Sequence, residues 1–580
     1  MLSGVIASAE DIDLNAIFKV SGRVGFHYGR SIDEMLYKNQ ASVENNTPLT
    51  AVSFIDSTGT IPAMSEGDPV GLFLDQSKSL QRLTEMVPST NLSGFTVLGS
   101  ATKTTTSFTT VSADTGVVYS GLIVGKWYEL VLNYDNTTTD ELSINNYDTN
   151  TFAIKQLRIG SGKTIFKSLY NGIYLKHSSA GTTTGVSVSI KEIPGFHLVQ
   201  EDPDKRATIS YRYNLIDSSE DFTEGWVNTG VIIEDDYEAP DGSMTAFKLK
   251  NTLSEESKIE QALPLDCVNG QYVRSIYLKA GSTTYPAIVV FEGIGGSLGN
   301  EYFTFNVKSK VFAAQTNLLD DYGYTELNNG WVYLWFKITK SDEKIISPNI
   351  HIGFYGPTAT QNEVLVWHPD MRLNIDYNDN IPKYQATHED GTVDKIGFPA
   401  YLKTNGNSSY HTDITLSNAT KAMVAAGMYS MDDNKSIFIE YGTDISNDEG
   451  VFNIEARSII DESSRAITFK SKGDEIKYIT HYFTHDAPNK SSFIAYTDLV
   501  EPILEFTIAK IEKPALHSTQ GSGVFMSRPL YLFGRSGETL LGNYRIYTMP
   551  MVIFMPTADN GLTSFERSVI SSAIHSELKY

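Results

Sequence analysis

The sequence predicts a mainly β protein built from consecutive antiparallel β-sandwiches of the jelly-roll type. Short segments rich in Val, Ile, Thr, Tyr and Trp recur along the chain, and many alternate apolar with polar residues. Turn residues separate these segments, and Asn269-Gly270 and Asn329-Gly330 each stand just before an aromatic-rich one, which is a strong hairpin signal. At roughly 150 residues per domain, a chain of 580 residues has room for about four units.

Composition excludes several classes of protein. The chain carries 69 Asp and Glu against 46 Lys and Arg, a net charge of −23, which argues against nucleic acid as a partner. Its single cysteine, Cys267, excludes an intramolecular disulfide and a multi-cysteine zinc site. The beginning of the chain has no basic segment of a secretory signal, and the most apolar late stretch, 547–555, is far shorter than the ~20 residues that span a bilayer. We therefore expect a soluble protein without membrane insertion.

The organisation along the chain predicts four regions. An N-terminal attachment region covers 1–90, a first β-sandwich 91–205, a second 206–386 and a third 387–580. The segment 185–193 illustrates the β pattern, because its apolar and polar side chains alternate. This alternation predicts a strand with one buried and one hydrated face. The inward residues are Val186, Val188 and Ile190, and the outward ones are Ser187, Ser189 and Lys191.

Two helices are expected, one near each end of the chain. Near the N-terminus, Ser8 and Asp11 have capping-box spacing, and Ile12, Leu14, Ile17 and Phe18 follow. This pattern indicates a short amphipathic surface helix or, alternatively, an anchor onto a neighbouring subunit. Near the C-terminus, Thr563 and Glu566 form a capping box, Leu562 can act as a hydrophobic staple, and the apolar stripe is Phe565, Val569, Ala573 and Ile574.

Several segments resemble domains of bacteriophage tail and virion proteins. Residues 214–249 carry an opening Asn-Leu, a Trp at 226 and a Pro-Asp-Gly turn at 240–242, and the strands at 275–281 and 329–339 continue the pattern. This order resembles carbohydrate-binding-module-like sandwiches of those proteins. Residues 56–77 are similar to an N-terminal motif of phage structural proteins, and the C-terminal region is similar to their laminin-G or concanavalin-like, lectin-like domain.

The resemblance implies a phage virion structural protein, associated with tail or baseplate, that presents lectin-like domains to host-surface glycan. Its partners would be other virion proteins and host polysaccharide, and it would be located in the phage particle. The resemblance also implies a homo-oligomer, and we expect a trimer. A purely architectural collar, baseplate or capsid decoration protein is the alternative. A capsule depolymerase is a third hypothesis, but the sequence lacks the repeat period of a β-helix and any nucleophile elbow. We expect no enzymatic activity.

Glycan binding needs exposed aromatic rings beside hydrogen-bonding groups, and four residues are candidates. Tyr285, Tyr355, Trp367 and His368 are in or beside predicted loops. The other tryptophans of this region, Trp226, Trp331 and Trp335, are interpreted as core, because buried aromatic rings dominate core packing.

We expect no cofactor, and an acidic cluster is the one candidate for a structural calcium site. Carboxylate oxygens are the ligands that Ca²⁺ prefers. The alternative interpretation is a solvated acidic loop. The candidate ligands are Glu234, Asp235, Asp236 and Glu238.

Overall fold

The computed structural model shows antiparallel β-sheets arranged as sandwiches, with few helices, which confirms the predicted fold class. Within the described residues, no helix has the length and apolar character needed to cross a membrane. The structure describes residues 14–29, 31–44, 51–113, 115–138, 142–252, 257–262, 270–281, 288–293, 301–314, 319–340, 349–354, 362–374, 381–416, 419–430, 436–441, 451–456, 465–471, 477–483, 491–498, 506–507, 515–518, 527–534, 541–556, 559, 561–563, 565–566 and 569–570.

The N-terminal segment contains two helices and three very short strands. The predicted helix is present and buries Leu14, Ile17 and Phe18, whereas its proposed cap at Ser8 and Asp11 lies outside the described residues. In chain order the elements are α1 (Leu14–Phe18), β1 (Val24–Phe26), α2 (Ile32–Glu44), β2 (Ser53–Phe54) and β3 (Leu72–Phe73).

The first sandwich follows, with sheets of five, three and four strands around one core. Val188 and Ile190 are buried and Ser189 and Lys191 are half-buried, so the predicted alternation is confirmed. The strands are β4 (Thr96–Leu98), β5 (Thr102–Lys103), β6 (Ser107–Thr110), β7 (Gly116–Ser120), β8 (Trp127–Asn133), β9 (Asn136–Thr137), β10 (Leu142–Tyr147), β11 (Ile154–Ile159), β12 (Gly162–Lys167), β13 (Gly172–His177), β14 (Gly181–Thr184) and β15 (Ser187–Glu192). Three-residue 3-10 turns precede it at Pro88–Thr90 and Leu92–Gly94.

The second sandwich packs two six-stranded sheets face to face. It is reached through β16 (Leu198–Val199), a 3-10 turn at Pro203–Lys205 and β17 (Thr208–Ser210). Its strands are β18 (Val227–Thr229), β19 (Val231–Tyr237), β20 (Ala246–Asn251), β21 (Ser257–Ala262), β22 (Gly270–Ala280), β23 (Ile288–Gly293), β24 (Glu301–Asn306), β25 (Val311–Ala314), β26 (Leu319–Glu326), β27 (Trp331–Lys340), β28 (Asn349–Phe354) and β29 (Glu363–Leu373). A 3-10 turn at Asn328–Gly330 joins β26 to β27.

The third sandwich is built from both ends of the chain. Its C-terminal strands are β30 (Tyr401–Lys403), β31 (Tyr410–Ile414), β32 (Ala419–Ser430), β33 (Ser436–Tyr441), β34 (Val451–Ala456), β35 (Arg465–Ser471), β36 (Lys477–Phe483), β37 (Ser491–Asp498), β38 (Phe506–Thr507), β39 (Ala515–Ser518), β40 (Arg528–Leu532) and β41 (Tyr544–Pro556). They form a seven-stranded and a ten-stranded sheet that also contain β1–β3, β16 and β17.

This arrangement differs from the predicted separation of 1–90 and 387–580. β1 pairs with β41, so that Val24 lies opposite Phe554, and β16 joins β3 to β31. Strands of two or three residues cannot bury a core alone, so they complete the sheets of a larger body. The first and second sandwiches are therefore inserted between segments of the third.

The two termini meet on the outer face of β32 and β41. There α1 packs with Leu562 and Ile570 against a shared apolar cluster. The predicted C-terminal capping box is confirmed, because the Glu566 backbone N–H donates to Thr563 Oγ1 (3.1 Å) and the Thr563 N–H donates to Glu566 Oε2 (2.8 Å). Phe565 is exposed, and Ala573 and Ile574 lie outside the described residues. The buried Arg23 guanidinium joins both ends through Asp559 (3.0 Å) and Glu566 (2.7 Å).

Candidate functional site

Two of the four predicted aromatic-site residues are described, and they lie side by side on β29. Trp367 and His368 are therefore strand residues and not loop residues. Trp367 is largely buried, with 8% of its surface exposed. The other two predicted residues, Tyr285 and Tyr355, lie outside the described residues.

A β-bulge determines how His368 is placed. β22 pairs with β29 so that Tyr277 faces Trp367 and Ser275 faces Asp370, which leaves one residue of β22 opposite two of β29. His368 has a φ of 48°, in the left-handed region, and Pro369 follows it. Proline within a sheet is found at such bulges, because it cannot donate to the ladder. In a regular strand the side chains of neighbouring residues point to opposite faces. The bulge instead lets the rings of Trp367 and His368 stack on one another.

A continuous row of aromatic rings follows from this geometry. The His368 ring is stacked between Trp367, with centroids 3.4 Å apart, and Tyr384, with centroids 3.6 Å apart. Tyr277 meets Trp367 edge to face at 5.1 Å and contacts Tyr333 at 5.0 Å. The two separations from His368 are shorter than is usual for paired rings, and the two from Tyr277 are within the usual range. The aromatic row, defined as Tyr333, Tyr277, Trp367, His368 and Tyr384, spans three neighbouring elements of the second sandwich.

A small cavity of about 160 Å³ opens beside Trp367 and His368. Its walls combine the Phe222 and Phe247 rings with polar groups. The Trp367 Nε1–H donates to Thr245 Oγ1 at 2.9 Å. The Ser219 and Tyr384 hydroxyls are hydrogen-bonded to each other at 2.5 Å. We call this cavity the bulge pocket; it is lined by Ser219, Glu220, Phe222, Thr245, Phe247, Trp367 and His368.

The histidine of the bulge pocket is uncharged at neutral pH. Desolvation by burial lowers the pKa of His368 to about 3, so its ring is neutral at pH 7. Its Nε2 lies 3.7 Å from Glu220 Oε1, and because the ring is neutral this contact is not an ion pair. Desolvation also raises the pKa of Glu220. The pocket therefore combines aromatic walls with hydroxyl, imidazole and carboxyl groups that can form hydrogen bonds to a polar ligand.

A second aromatic surface lies on the outer face of β27. Val332, Leu334 and Phe336 point into the core between the two sheets. Their alternating neighbours, Trp331, Tyr333 and Trp335, therefore point to the opposite face. This surface continues the aromatic row, because Tyr277 contacts Tyr333. Tyr333 is only 2% exposed, so the accessible rings of this surface are those of the half-buried Tyr277 and Trp335. We call Trp335, Tyr333 and Tyr277 the aromatic face.

Trp335 packs closely over the neighbouring strand, which has no side chain opposite it. Gly323 of β26 pairs with Trp335, and a Cβ built at Gly323 would be only 2.8 Å from Trp335 Cζ2. The Lys337 ammonium stands 5.5 Å from the centroid of the Trp335 ring. The indole is half-buried, so part of it is accessible to solvent.

The sequence-based interpretation of the tryptophans as core is confirmed for Trp226 and Trp331, which are 8% and 1% exposed. It misses Trp335, which is half-buried on the outer face. The alternation of aromatic and aliphatic residues from 331 to 335 was the available signal, since it makes both faces of one strand apolar.

The predicted calcium ligands do not form a site. On β19, Glu234 accepts a hydrogen bond from the Tyr237 hydroxyl at 2.7 Å and pairs with Lys248, and the hydrogen bond from Lys248 lowers the pKa of Glu234. A register shift between Glu234 and Tyr237, with Asp236 at a φ of 60°, further disperses the carboxylates. Among the described residues, which include all four predicted ligands, no group of three or more His, Cys, Asp or Glu could hold a metal ion.

The chain is thus a multi-sandwich β protein with an aromatic surface on its second sandwich. No protein-family model matches it. No curated protein matches it either. Among solved structures it is similar to the N-terminal CBM22-1–CBM22-2 tandem domain of Paenibacillus barcinonensis Xyn10C. The two are 11% identical, the match covers 50% of this chain and 98% of that chain, and the TM-score is 0.20. At this TM-score the likeness carries no conclusion about the function of this chain. Nothing in the comparisons supports a phage origin.

Proposed function

We propose that the chain is a non-enzymatic phage virion protein whose second sandwich binds glycan of the host surface. The observation that carries the glycan-binding part is the aromatic face, which continues through Trp367 to the bulge pocket. The phage part rests only on the order of the sequence motifs. A place in tail or baseplate, a homotrimer and packing against other virion proteins belong to the same proposal.

The chemistry of the surface fits sugars. The C–H faces of a pyranose stack on aromatic rings, and aromatic side chains supply large contact area with few rotatable bonds. The bulge pocket is smaller than the roughly 300 Å³ of a typical ligand site, so it suits a single ring at the end of a chain. Its hydroxyl and carboxyl groups can form hydrogen bonds to sugar hydroxyls.

The test is binding of the full chain to an array of bacterial surface polysaccharides. We expect Trp335→Ala to weaken binding about tenfold, since truncating an aromatic anchor commonly costs more than 1 kcal/mol. Phe152→Ala is the matched control, because Phe152 is an exposed ring, 67% accessible, outside the aromatic face. Equal losses in both variants, or no glycan bound by the unaltered chain, would remove the glycan-binding role and leave the architectural one.

A further inference from the structure

A larger cavity, of about 420 Å³, lies where the first sandwich meets the third. The first sandwich contributes Lys126, Trp127 and Lys167, and the third contributes Asp413 from β31. The connection between them, Ile193–Phe196, forms one wall together with Lys78. We call this space the junction cavity. Its volume is within the range of ordinary small-molecule sites.

The charges around the junction cavity are unusual for so acidic a chain. Lys126 pairs with Glu192 at 3.1 Å, and Lys167 pairs with Asp413 at 2.5 Å. Lys78 also lines the cavity, is half-buried, and has no ion-pair partner among the residues that the structure describes. Three ammonium groups and two carboxylates leave one positive charge, in a protein whose net charge is −23.

The wall formed by the connection is held rigidly. The buried Asp75 carboxylate accepts the backbone N–H of Phe196 at 2.9 Å and that of Ser77 at 2.8 Å. His197 accepts the Asp75 N–H on Nδ1 at 2.9 Å. At Gly195, with a φ of +148°, a Cβ would lie 2.9 Å from the His197 ring. The segment therefore packs too closely for a larger residue, and a ligand would meet a preorganised surface.

We propose that the junction cavity binds an anionic sugar residue, with the ligand carboxylate on the Lys78 ammonium. An ammonium is a point charge that pairs with a carboxylate without a fixed approach direction. Lys126 and Lys167 also line the cavity, paired with Glu192 and Asp413 respectively. When the ligand binds, each of these lysines shares its ammonium between its carboxylate partner and the ligand. Since Lys167 and Asp413 belong to different sandwiches, a bound acidic sugar joins the two bodies.

The experiment is calorimetric titration of the full chain with digalacturonate, with the uncharged disaccharide digalactose, and with inorganic phosphate. We expect digalacturonate to bind and digalactose to bind at least tenfold more weakly, since the uncharged disaccharide has no carboxylate to pair with the Lys78 ammonium. Lys78→Met should weaken digalacturonate binding about tenfold. Phosphate binding as tightly as digalacturonate would identify a simple anion site and overturn the sugar assignment.

Controls separate this site from the aromatic face. Lys191→Met removes a half-buried lysine of β15 that is next in sequence to Glu192 and so points to the other side of the strand, and it should leave binding unchanged. Thr415→Trp fills the exposed mouth of the junction cavity and should abolish binding even if Lys78→Met acts indirectly. Trp335→Ala should have no effect. Retained binding in Thr415→Trp, or loss in Lys191→Met, would contradict the proposal.

Discussion

Two strands of the molecule carry the same alternating pattern and serve different purposes. In β15 of the first sandwich, Val188 and Ile190 are buried, while Ser189 and Lys191 on the other face are half-buried and polar. In β27 of the second sandwich the inward residues are again apolar, but the outward ones from 331 to 335 are aromatic instead of polar. The period of two determines that a strand has two faces; only the chemistry of the outward face distinguishes scaffold from binding surface.

The outward residues of β27 are themselves unequal. Trp331 is 1% exposed and packs with Leu365 and Trp367, whereas Trp335 is half-buried over Gly323. One end of the strand therefore contributes to the packing of the sandwich, and at the other end part of an indole is accessible to solvent.

The largest expected effect tests this difference within β27. Trp331→Ala should lower the free energy of unfolding by about 4 kcal/mol, as for other buried large-to-small changes, because it leaves a cavity. Trp335→Ala should cost about 1 kcal/mol, since its ring is already partly hydrated. Urea unfolding followed by far-ultraviolet circular dichroism measures both. Equal costs would show that Trp335 is a packing residue and that the aromatic face is not a binding surface.

The sequence alone predicts those structural features that depend on residues close together in the chain. The capping box at Thr563 and Glu566 and the burial of Val188 and Ile190 follow from local spacing. The Asn329-Gly330 turn between β26 and β27 is also local, because both residues adopt the positive φ that such turns require, 60° and 80°.

The sequence is insufficient where the deciding contact is remote in the chain. Val24 pairs with Phe554, and nothing near a three-residue strand indicates such a partner. The placement of Trp367 and His368 depends on the cross-strand register with Tyr277, which creates the bulge. The close approach of Trp335 to β26 depends on a glycine in that strand. The residue types indicate which aromatic positions are candidates for a site, but only the strand pairing shows which face of a ring is covered.

A smaller effect compares the stacked histidines of the two sandwiches. Burial lowers the pKa of His368 to about 3, against 6.5 for an ordinary histidine, and also lowers the pKa of His177, which stacks on Phe108. Below pH 6.5 the unfolded chain takes up protons that the folded chain does not, so stability falls as the pH decreases from 6.5 toward 3. Between pH 7 and 5.5, His368 should account for about 1 kcal/mol.

Unfolding at several pH values, followed by tryptophan fluorescence, tests this expectation. Four of the five tryptophans belong to the second sandwich, so the signal reports mainly on that body. His368→Gln should flatten the pH dependence of this signal, while His177→Gln, in the first sandwich, should not. Glu220 affects the pH dependence of the free energy of unfolding in the opposite direction. Because folding raises its pKa, Glu220 adds stability as the pH falls. This contribution appears nearer its ordinary pKa of 4.5. If His368→Gln leaves the pH dependence of stability unchanged, the His368 ring takes up a proton as readily in the folded protein as in the unfolded chain.

The smallest expected effect concerns the support beneath Trp335. Gly323→Ala places a methyl group about 2.8 Å from Trp335 Cζ2, so the indole must tilt away from the sheet. Alanine suits an extended strand better than glycine, so the free energy of unfolding should change by less than about 1 kcal/mol. Affinity for glycan should fall about threefold, or about 0.6 kcal/mol, because the ring no longer holds its position.

Thr325→Ala is the matched variant, because Thr325 is exposed on the same strand two residues beyond Gly323 and thus on the same face. Near-ultraviolet circular dichroism gives a readout of the indole position that needs no ligand, and it should change in Gly323→Ala alone. A changed spectrum with unaltered affinity would separate the position of the ring from binding and exclude stacking on Trp335. An unchanged spectrum would mean that β26 moves to accommodate the methyl group and that the ring stays in place.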